Sequence, residues 1–206
     1  MHLVARLFGL ALVAGLAGAC AKTREGSPVD GQVVGPLYTN RYFGLSLNIP
    51  AGWTTAEFKP TFSTPGNTPR PAPKTPRDEH THQLLMLSEK PLDSPQPANS
   101  SLLIMAEAAA SVPGVKTAKD YLARASQLMI DAPIAYHPVS GIADTSVGGV
   151  ASARLDFTAR LASDKSARQS YLVCLRYGYV LSFILSATTE EELKRLEQVL
   201  QTARFD

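Results

Sequence analysis

Residues 169–187 read QSYLVCLRYGYVLSFILSA, two apolar runs joined at Gly178. Val, Ile, Leu, Phe and Tyr dominate both runs, and these residue types suit the half-buried surface of a β-strand. A glycine between two such runs is typical of a hairpin turn, because it adopts the left-handed backbone conformation without steric cost. We therefore predict strands over residues 169–177 and 179–187 that pair as an antiparallel hairpin.

Segments before this hairpin have strand patterns of their own. In residues 154–161, Leu155, Phe157 and Leu161 fall on one face, and charged or polar side chains fall on the other. Residues 42–49 (YFGLSLNI) alternate in the same way. Further strands are predicted near residues 54–58, 83–90, 102–110 and 134–139.

Two segments have the spacing of amphipathic helices. Thr117 and Asp120 form a capping pattern, and apolar residues three and four apart follow them to residue 129. A second helix is predicted after Thr188 and Thr189, with its apolar stripe at Leu193, Leu196, Val199 and Leu200. Strands thus dominate, with one helix mid-chain and one after the hairpin. This order predicts an α+β fold, a central antiparallel sheet with helices packed on it.

The segment before Trp53 resembles a known family. Tyr38-Thr39-Asn40, Phe43-Gly44-Leu45-Ser46-Leu47 and Ile49-Pro50-Ala51-Gly52-Trp53 resemble the opening motif of the PsbP/Mog1-like superfamily. Residues 168–187 and the helix running to Ala203-Arg204-Phe205 resemble its closing segment. The resemblance implies a central antiparallel sheet sandwiched between helices. Family members include photosystem II extrinsic subunits, a nuclear-transport regulator and bacterial envelope lipoproteins, so it also implies a non-catalytic binding or accessory role rather than an enzyme.

Residues 1–20 resemble the signal segment of bacterial lipoproteins. Arg6 precedes the apolar run LFGLALVAGL (7–16), and the small residues AGA (17–19) precede Cys20. The run is shorter than the ~20 residues that span a bilayer, and the whole pattern is typical of a secretory signal peptide. The resemblance implies cleavage before Cys20 and acylation of this cysteine. Residues 17–19 also fit the A-x-A pattern of the ordinary signal peptidase, which would cut at the same bond and leave Cys20 unmodified.

These patterns divide the chain into three parts. Residues 1–19 are the expected signal peptide, residues 20–36 a lipidated cysteine with a flexible tether, and residues 37–206 a single α+β domain. A proline-rich loop over residues 59–82 interrupts the domain. We expect the protein in the cell envelope, bound to a membrane through lipid on Cys20 and facing the periplasm or the outside.

Charge and cysteine content narrow the classes of function. The chain has 20 Lys and Arg against 18 Asp and Glu and no basic block, which disfavours binding to nucleic acid. Cys20 and Cys174 are its two cysteines, so Cys174 lacks a partner for an intramolecular disulfide if Cys20 is acylated. Its apolar surroundings in sequence predict a buried, inert thiol.

Three residues are candidates for contact with a partner. Trp53 follows a turn and could anchor a partner, or its indole could cover one end of the core. Arg70 and Arg77 lie in the proline-rich loop. We expect this loop to contact an unidentified envelope protein, because mobile loops on a rigid scaffold often carry recognition.

His80 and His82 are the candidate metal ligands. Two histidines at positions i and i+2 of a strand point to one face and could bind Zn²⁺ or Cu²⁺, with Asp78 or Glu79 as a third ligand. The alternative is a solvated polar loop. The sequence has no HExxH or CxxC motif to support a metal site, and no G-x-S-x-G motif for a hydrolase. We therefore expect no cofactor, with a metal- or small-ligand-binding envelope protein as the second hypothesis.

Overall fold

The computed structural model describes residues 26–55, 61–62, 70–71, 80–91, 99–130, 136–160 and 166–206. Its helices are α1 (Ala118–Ile130) and α2 (Glu190–Leu200), and residues Ala109–Ser111 form a short 3-10 turn. The strands are β1 (Gly31–Val34), β2 (Leu37–Asn40), β3 (Leu45–Asn48), β4 (Thr54–Thr55), β5 (Thr61–Phe62), β6 (Arg70–Pro71), β7 (Thr81–Ser88), β8 (Ser101–Ala108), β9 (Tyr136–Pro138), β10 (Ala143–Val147), β11 (Val150–Arg160), β12 (Ser166–Arg176), β13 (Tyr179–Ala187) and β14 (Arg204–Phe205).

The predicted hairpin lies at the centre of an eight-stranded antiparallel sheet. The strand order is β10-β11-β12-β13-β8-β7-β4, and β9 also pairs with β11. Strands β12 and β13 pair from Arg168↔Ala187 to Arg176↔Tyr179. The backbone of both turn residues, Tyr177 and Gly178, has positive φ, as a two-residue hairpin turn of this hand requires. The hairpin prediction is confirmed.

A four-stranded antiparallel sheet, in the order β1-β2-β3-β14, packs beside the large one. The alternation predicted for residues 42–49 is confirmed, because Phe43, Leu45, Leu47 and Ile49 are all buried. Residues 204–205 complete this sheet by pairing Phe205 with Leu45. The small sheet therefore joins segments from opposite parts of the sequence.

The large sheet separates two apolar cores. Side chains alternate along β12, so Leu172 and Cys174 belong to one core and Val173 belongs to the other. The small sheet and α2 cover the first core, and α1 covers the second through the fully buried Leu122. One helix thus packs on each face of a central antiparallel sheet, and the predicted sheet-dominated α+β fold is confirmed.

Strands β1 and β10 form where the sequence did not predict them, as do the two-residue strands β5, β6 and β14. Residues 31–34 form β1, although their composition predicts part of a tether over residues 20–36. Strand β1 is held by backbone pairing with β2, since most of its side chains are exposed. Strand β10 is similarly exposed, and Val147 is its one buried residue. Neither strand buries a full apolar face, so neither has the alternation on which the predictions rest.

The proline-rich segment also differs from a plain loop. Within residues 59–82, β5 and β6 pair through Thr61↔Pro71, and β7 begins at Thr81. His82 therefore lies in a strand of the large sheet rather than in the loop. The remaining residues of the segment up to residue 79 lie outside the described part of the chain.

The first turn of α2 contains the predicted capping box, which is formed by Thr189 and Glu192. The Glu192 carboxylate accepts hydrogen bonds from the Thr188 N–H (2.8 Å), the Thr188 hydroxyl (2.8 Å) and the Thr189 N–H (3.1 Å). The Thr189 hydroxyl in turn accepts from the Glu192 N–H at 3.2 Å. Burial raises the pKa of the Glu192 carboxyl, but these hydrogen bonds outweigh it and hold the pKa below its usual value.

Replacing Glu192 by glutamine should therefore destabilise the protein in a pH-dependent way. At neutral pH we expect a loss of about 1 kcal/mol of unfolding free energy. Because the pKa is lowered in the folded state, the carboxylate stabilises the fold above its unfolded pKa of about 4.3, and this contribution disappears as the pH falls through the folded value. Urea unfolding of both proteins at pH 7 and at pH 3 measures the difference.

The matched control is Glu191→Gln, on the exposed side of the same helical turn. This variant loses the same formal charge near the helix N-terminus without removing the capping carboxylate. A Glu192→Gln effect that is equal to the control, or that persists unchanged at pH 3, would contradict the assigned role of the capping box.

Candidate functional site

Trp53 lies at the end of a turn between the two sheets. Its backbone N–H donates to the Pro50 carbonyl at 3.2 Å, and its half-buried side chain packs against the first core. The exposed part of the side chain borders a groove of about 340 Å³ between this turn and α2, lined by Asn48, Ile49, Pro50, Trp53, Arg195, Gln198, Val199 and Thr202. The indole thus packs against one end of the core and also lines part of a surface groove.

An ion pair holds Arg195 at the rim of this groove. The Arg195 guanidinium donates to Glu89 Oε2 at 3.0 Å, and the Ser100 hydroxyl donates to the same oxygen at 2.8 Å. The hydrogen bond from Arg195 lowers the pKa of the Glu89 carboxyl. The groove therefore has an apolar floor and an ion pair at its edge. This combination is suited to contact with an amphipathic surface of another molecule.

The histidines do not converge on a metal site within the described residues. His82 lies on β7 opposite Ala106, and the His80 carbonyl accepts from the Ala108 N–H at 2.9 Å, so the two histidines follow each other along one strand edge. His137 lies on β9, five strands away from β7 in the sheet order, which corresponds to roughly 24 Å. The parts of the chain that the structure describes contain no group of three His, Cys, Asp or Glu side chains able to hold a metal ion. Asp78 and Glu79 lie outside them.

Sequence reasoning missed a cavity between β8 and α1 that has both polar and apolar lining residues. Glu107, only 4% exposed, lies at its base, and the Tyr121 hydroxyl donates to Glu107 Oε2 at 2.8 Å. The cavity measures about 390 Å³ and is lined by His80, Glu107, Ser111, Val112, Tyr121, Arg124, Ala125 and Leu128. A carboxylate is costly to bury without hydrogen-bond partners. A lone glutamate inside the apolar run of residues 102–110 was the available signal.

A network of charges connects β11 with α2. Arg154 donates to Asp156 on its own strand at 2.9 Å, to Glu197 at 2.7 Å and to the Ser170 hydroxyl at 3.0 Å. Burial lowers the pKa of Arg154, but the hydrogen bonds to Glu197 and Asp156 outweigh it and raise the pKa. The polar face of β11 is thus linked to α2 by an ion pair, and Arg154 has a structural role there.

The remaining candidates have separate positions. Cys174 is fully buried, which confirms its predicted position in the core, and burial raises the pKa of its thiol to about 12. Arg70 lies on β6, paired with Phe62 in the backbone register. Cys20 and Arg77 lie outside the described residues. Across the described ranges, no helix has the length and apolar character needed to cross a membrane.

Comparisons with known proteins bear on the fold. No protein-family model matches this chain, and no curated protein matches it either. Among solved structures, it is similar to the cyanobacterial PsbP (CyanoP) of Synechocystis sp. PCC 6803, with a TM-score of 0.52 and 17% identity over 93% of this chain and 100% of that chain. LpqN of Mycobacterium tuberculosis, involved in cell envelope biogenesis, has a TM-score of 0.46 and 14% identity over 78% of this chain and 82% of its own.

A protein of unknown function from Pseudomonas aeruginosa is also similar, with a TM-score of 0.43 and 18% identity over 71% of this chain and 96% of that chain. At these sequence identities the structural similarities concern the fold alone. The similarity to CyanoP, with its TM-score of 0.52, supports the fold assignment. The resemblance of residues 38–53 to the opening motif of the superfamily points to the same architecture. The chain therefore has a PsbP-like α+β fold dominated by antiparallel sheet.

Proposed function

We propose that this chain is an exported lipoprotein, anchored to a membrane of the cell envelope through acyl chains on Cys20. In this proposal its PsbP-like domain acts without catalysis, as a binding or accessory subunit for an envelope protein. The observation that carries the proposal is the order of residues 6–20, a basic residue, ten apolar residues, three small residues and a cysteine. The described structure begins at Gly26, only six positions after that cysteine.

Replacing Cys20 by serine tests the anchor. In the bacterium that produces the protein, we expect the wild type in the membrane fraction, and we expect the variant to fall at least about tenfold in that fraction, because two or more acyl chains give stable membrane binding and none remains on serine. Mass spectrometry of the mature N-terminus should show an acylated Cys20 in the wild type.

Cys174→Ala is the matched control, because it removes the other cysteine from a buried position and should leave membrane association unchanged. An unmodified Cys20 at the mature N-terminus would overturn the anchor, since it would mean cleavage by the ordinary signal peptidase. Equal membrane retention of the Cys20→Ser variant would overturn it as well.

The partner-contacting element in this proposal is the proline-rich segment of residues 59–77, which includes Arg70 and Arg77. Strand β4 lies at the edge of the large sheet and leads directly into this segment, so the segment leaves from a rigid scaffold. Guanidinium groups on such a segment suit recognition of carboxylates on a partner.

Replacing residues 59–77 by a Gly-Ser segment of equal length should abolish crosslinking to the envelope partner in living cells. Photocrosslinking followed by identification of the captured proteins measures this loss. The control is the same replacement at residues 92–98, a second proline-containing segment. If every crosslinked partner survives the 59–77 replacement, the proposed contact is wrong.

A further inference from the structure

Apolar side chains are exposed at the tip of the β1–β2 hairpin. Val33, Val34 and Leu37 flank the turn at Gly35-Pro36, and they are 45%, 70% and 39% exposed. Val34 pairs with Leu37 on one face of the hairpin, and Val33 pairs with the buried Tyr38 on the other, so apolar side chains are exposed on both faces of the tip. A group of exposed apolar residues marks an interaction site, whereas single ones need no explanation. Elsewhere among the described residues, the exposed large apolar side chains are those of Val29, Leu128, Ile130, Val139 and Tyr177.

The hairpin tip lies at the same end of the small sheet as the turn that carries Trp53. Leu37 pairs with Asn48 in the small sheet, and the Pro36 carbonyl accepts a hydrogen bond from the Ile49 N–H at 2.7 Å. Four residues after Ile49, Trp53 borders its apolar groove. We call Val33, Val34, Leu37 and Trp53 together the tip surface.

The chain between Cys20 and this surface is short. Eleven positions separate Cys20 from Gly31, and at 3.3–3.6 Å per residue an extended chain spans at most about 40 Å. If Cys20 carries acyl chains in a bilayer, β1 cannot lie farther than this from the membrane. The tip surface lies one short strand beyond Gly31, so it remains within reach of the same bilayer.

The chemistry of the tip surface also suits a lipid interface. Tryptophan is enriched where a membrane meets water, because its ring is apolar and its N–H is polar. Strand β1 is the edge of the small sheet, and its outer N–H and C=O groups need hydrogen-bond partners, which the hydrocarbon interior lacks. The depth that satisfies both requirements is the boundary between headgroups and acyl chains.

We propose that the tip surface docks on the membrane that holds the Cys20 anchor, with Val33, Val34, Leu37 and Trp53 entering the interface between headgroups and acyl chains. This inference rests on the proposed function, because the acyl anchor brings the surface to the lipid. Docking fixes the orientation of the domain relative to the membrane, which a flexible tether alone leaves free.

Trp53 is the only tryptophan in the chain, so its fluorescence reports on this surface directly. The full acylated protein is reconstituted into phosphatidylethanolamine–phosphatidylglycerol vesicles, with or without bromine near the headgroup end of the acyl chains. We expect brominated lipid to quench Trp53 several-fold and the vesicles to protect it from acrylamide. The Val33→Ser/Val34→Ser double variant should lose most of the quenching while staying membrane-bound through its lipid.

Val139→Ser is the matched control, a valine that is 62% exposed away from the tip surface, and it should behave like the wild type. If brominated lipid does not quench Trp53 in the acylated protein, the docking proposal is wrong, but the proposal of an acyl anchor still holds. A second outcome would also contradict the docking proposal: Trp53 is protected from acrylamide but not quenched by bromine, and a Val34→Cys variant crosslinks to a second copy. The tip surface would then mediate self-association. A mature protein without acyl chains overturns the anchor and the docking together.

Discussion

Replacing Arg176 by alanine is expected to lower the free energy of unfolding by about 3 kcal/mol. Arg176 Nε donates to the Phe43 carbonyl at 2.7 Å, and its terminal nitrogen donates to the backbone carbonyl of Asp206. The guanidinium also stacks over the rings of Phe205 (4.7 Å to the centroid) and Tyr177 (4.4 Å). This one side chain therefore fastens the small sheet to the edge of the central hairpin.

Denaturant unfolding followed by circular dichroism measures the Arg176→Ala effect. Arg168→Ala is the control on the same strand, because Arg168 forms an ion pair with Glu190 at 2.7 Å in which both side chains are about half exposed. Such surface pairs contribute about 0–1 kcal/mol. Equal losses in the two variants would show that charge, rather than the contacts of Arg176, accounts for the effect.

Gly44→Ala is expected to cost a similar amount, about 3 kcal/mol, for a different reason. Gly44 has φ of 62°, where a Cβ atom costs roughly 1–2 kcal/mol. A Cβ at this position would also lie 2.8 Å from the Asp206 carbonyl oxygen and 3.3 Å from the Asp206 nitrogen, so the backbone of residue 206 would have to shift. The strain and the clash both act where residues 204–206 close the small sheet.

Gly35→Ala separates these two causes. Gly35 has nearly the same φ, 57°, but a Cβ there meets nothing within 4 Å. We expect about 1 kcal/mol for this variant, which is the backbone cost alone. Thermal or urea unfolding of both variants gives the difference, and a Gly44→Ala protein no less stable than Gly35→Ala would contradict the assigned contact with Asp206.

The sequence predicts those parts of the fold that an apolar core covers. The central hairpin is apolar on both faces because it lies between the two cores, and its prediction is confirmed. In residues 42–49 the predicted burial of every second side chain is confirmed, but the strand itself covers only residues 45–48. Strands β1 and β10 have no such pattern, because backbone pairing to a neighbouring strand holds them at sheet edges. Their composition resembles that of a linker, and local sequence does not reveal the partner strand.

The candidate sites divide in the same way. Trp53 was identifiable because a turn motif precedes it, and Cys174 because apolar residues surround it. The Glu107–Tyr121 contact and the Arg154–Glu197 contact join residues that are 14 and 43 positions apart. Their meeting depends on how helices pack across the sheet, and residue spacing within one segment carries no information about that packing.

The pairing of β3 with β14 has a consequence for the timing of folding. The Asn48 N–H donates to the Thr202 hydroxyl 154 positions away, so the small sheet closes only after two distant segments meet. Contacts of such long range slow folding, because the entropy of loop closure is lost before the contacts form. The large sheet is built mainly from strands that are neighbours in sequence, such as β12 and β13, so it does not depend on this closure. The closing of the small sheet is therefore expected to be the last step in the folding of the domain.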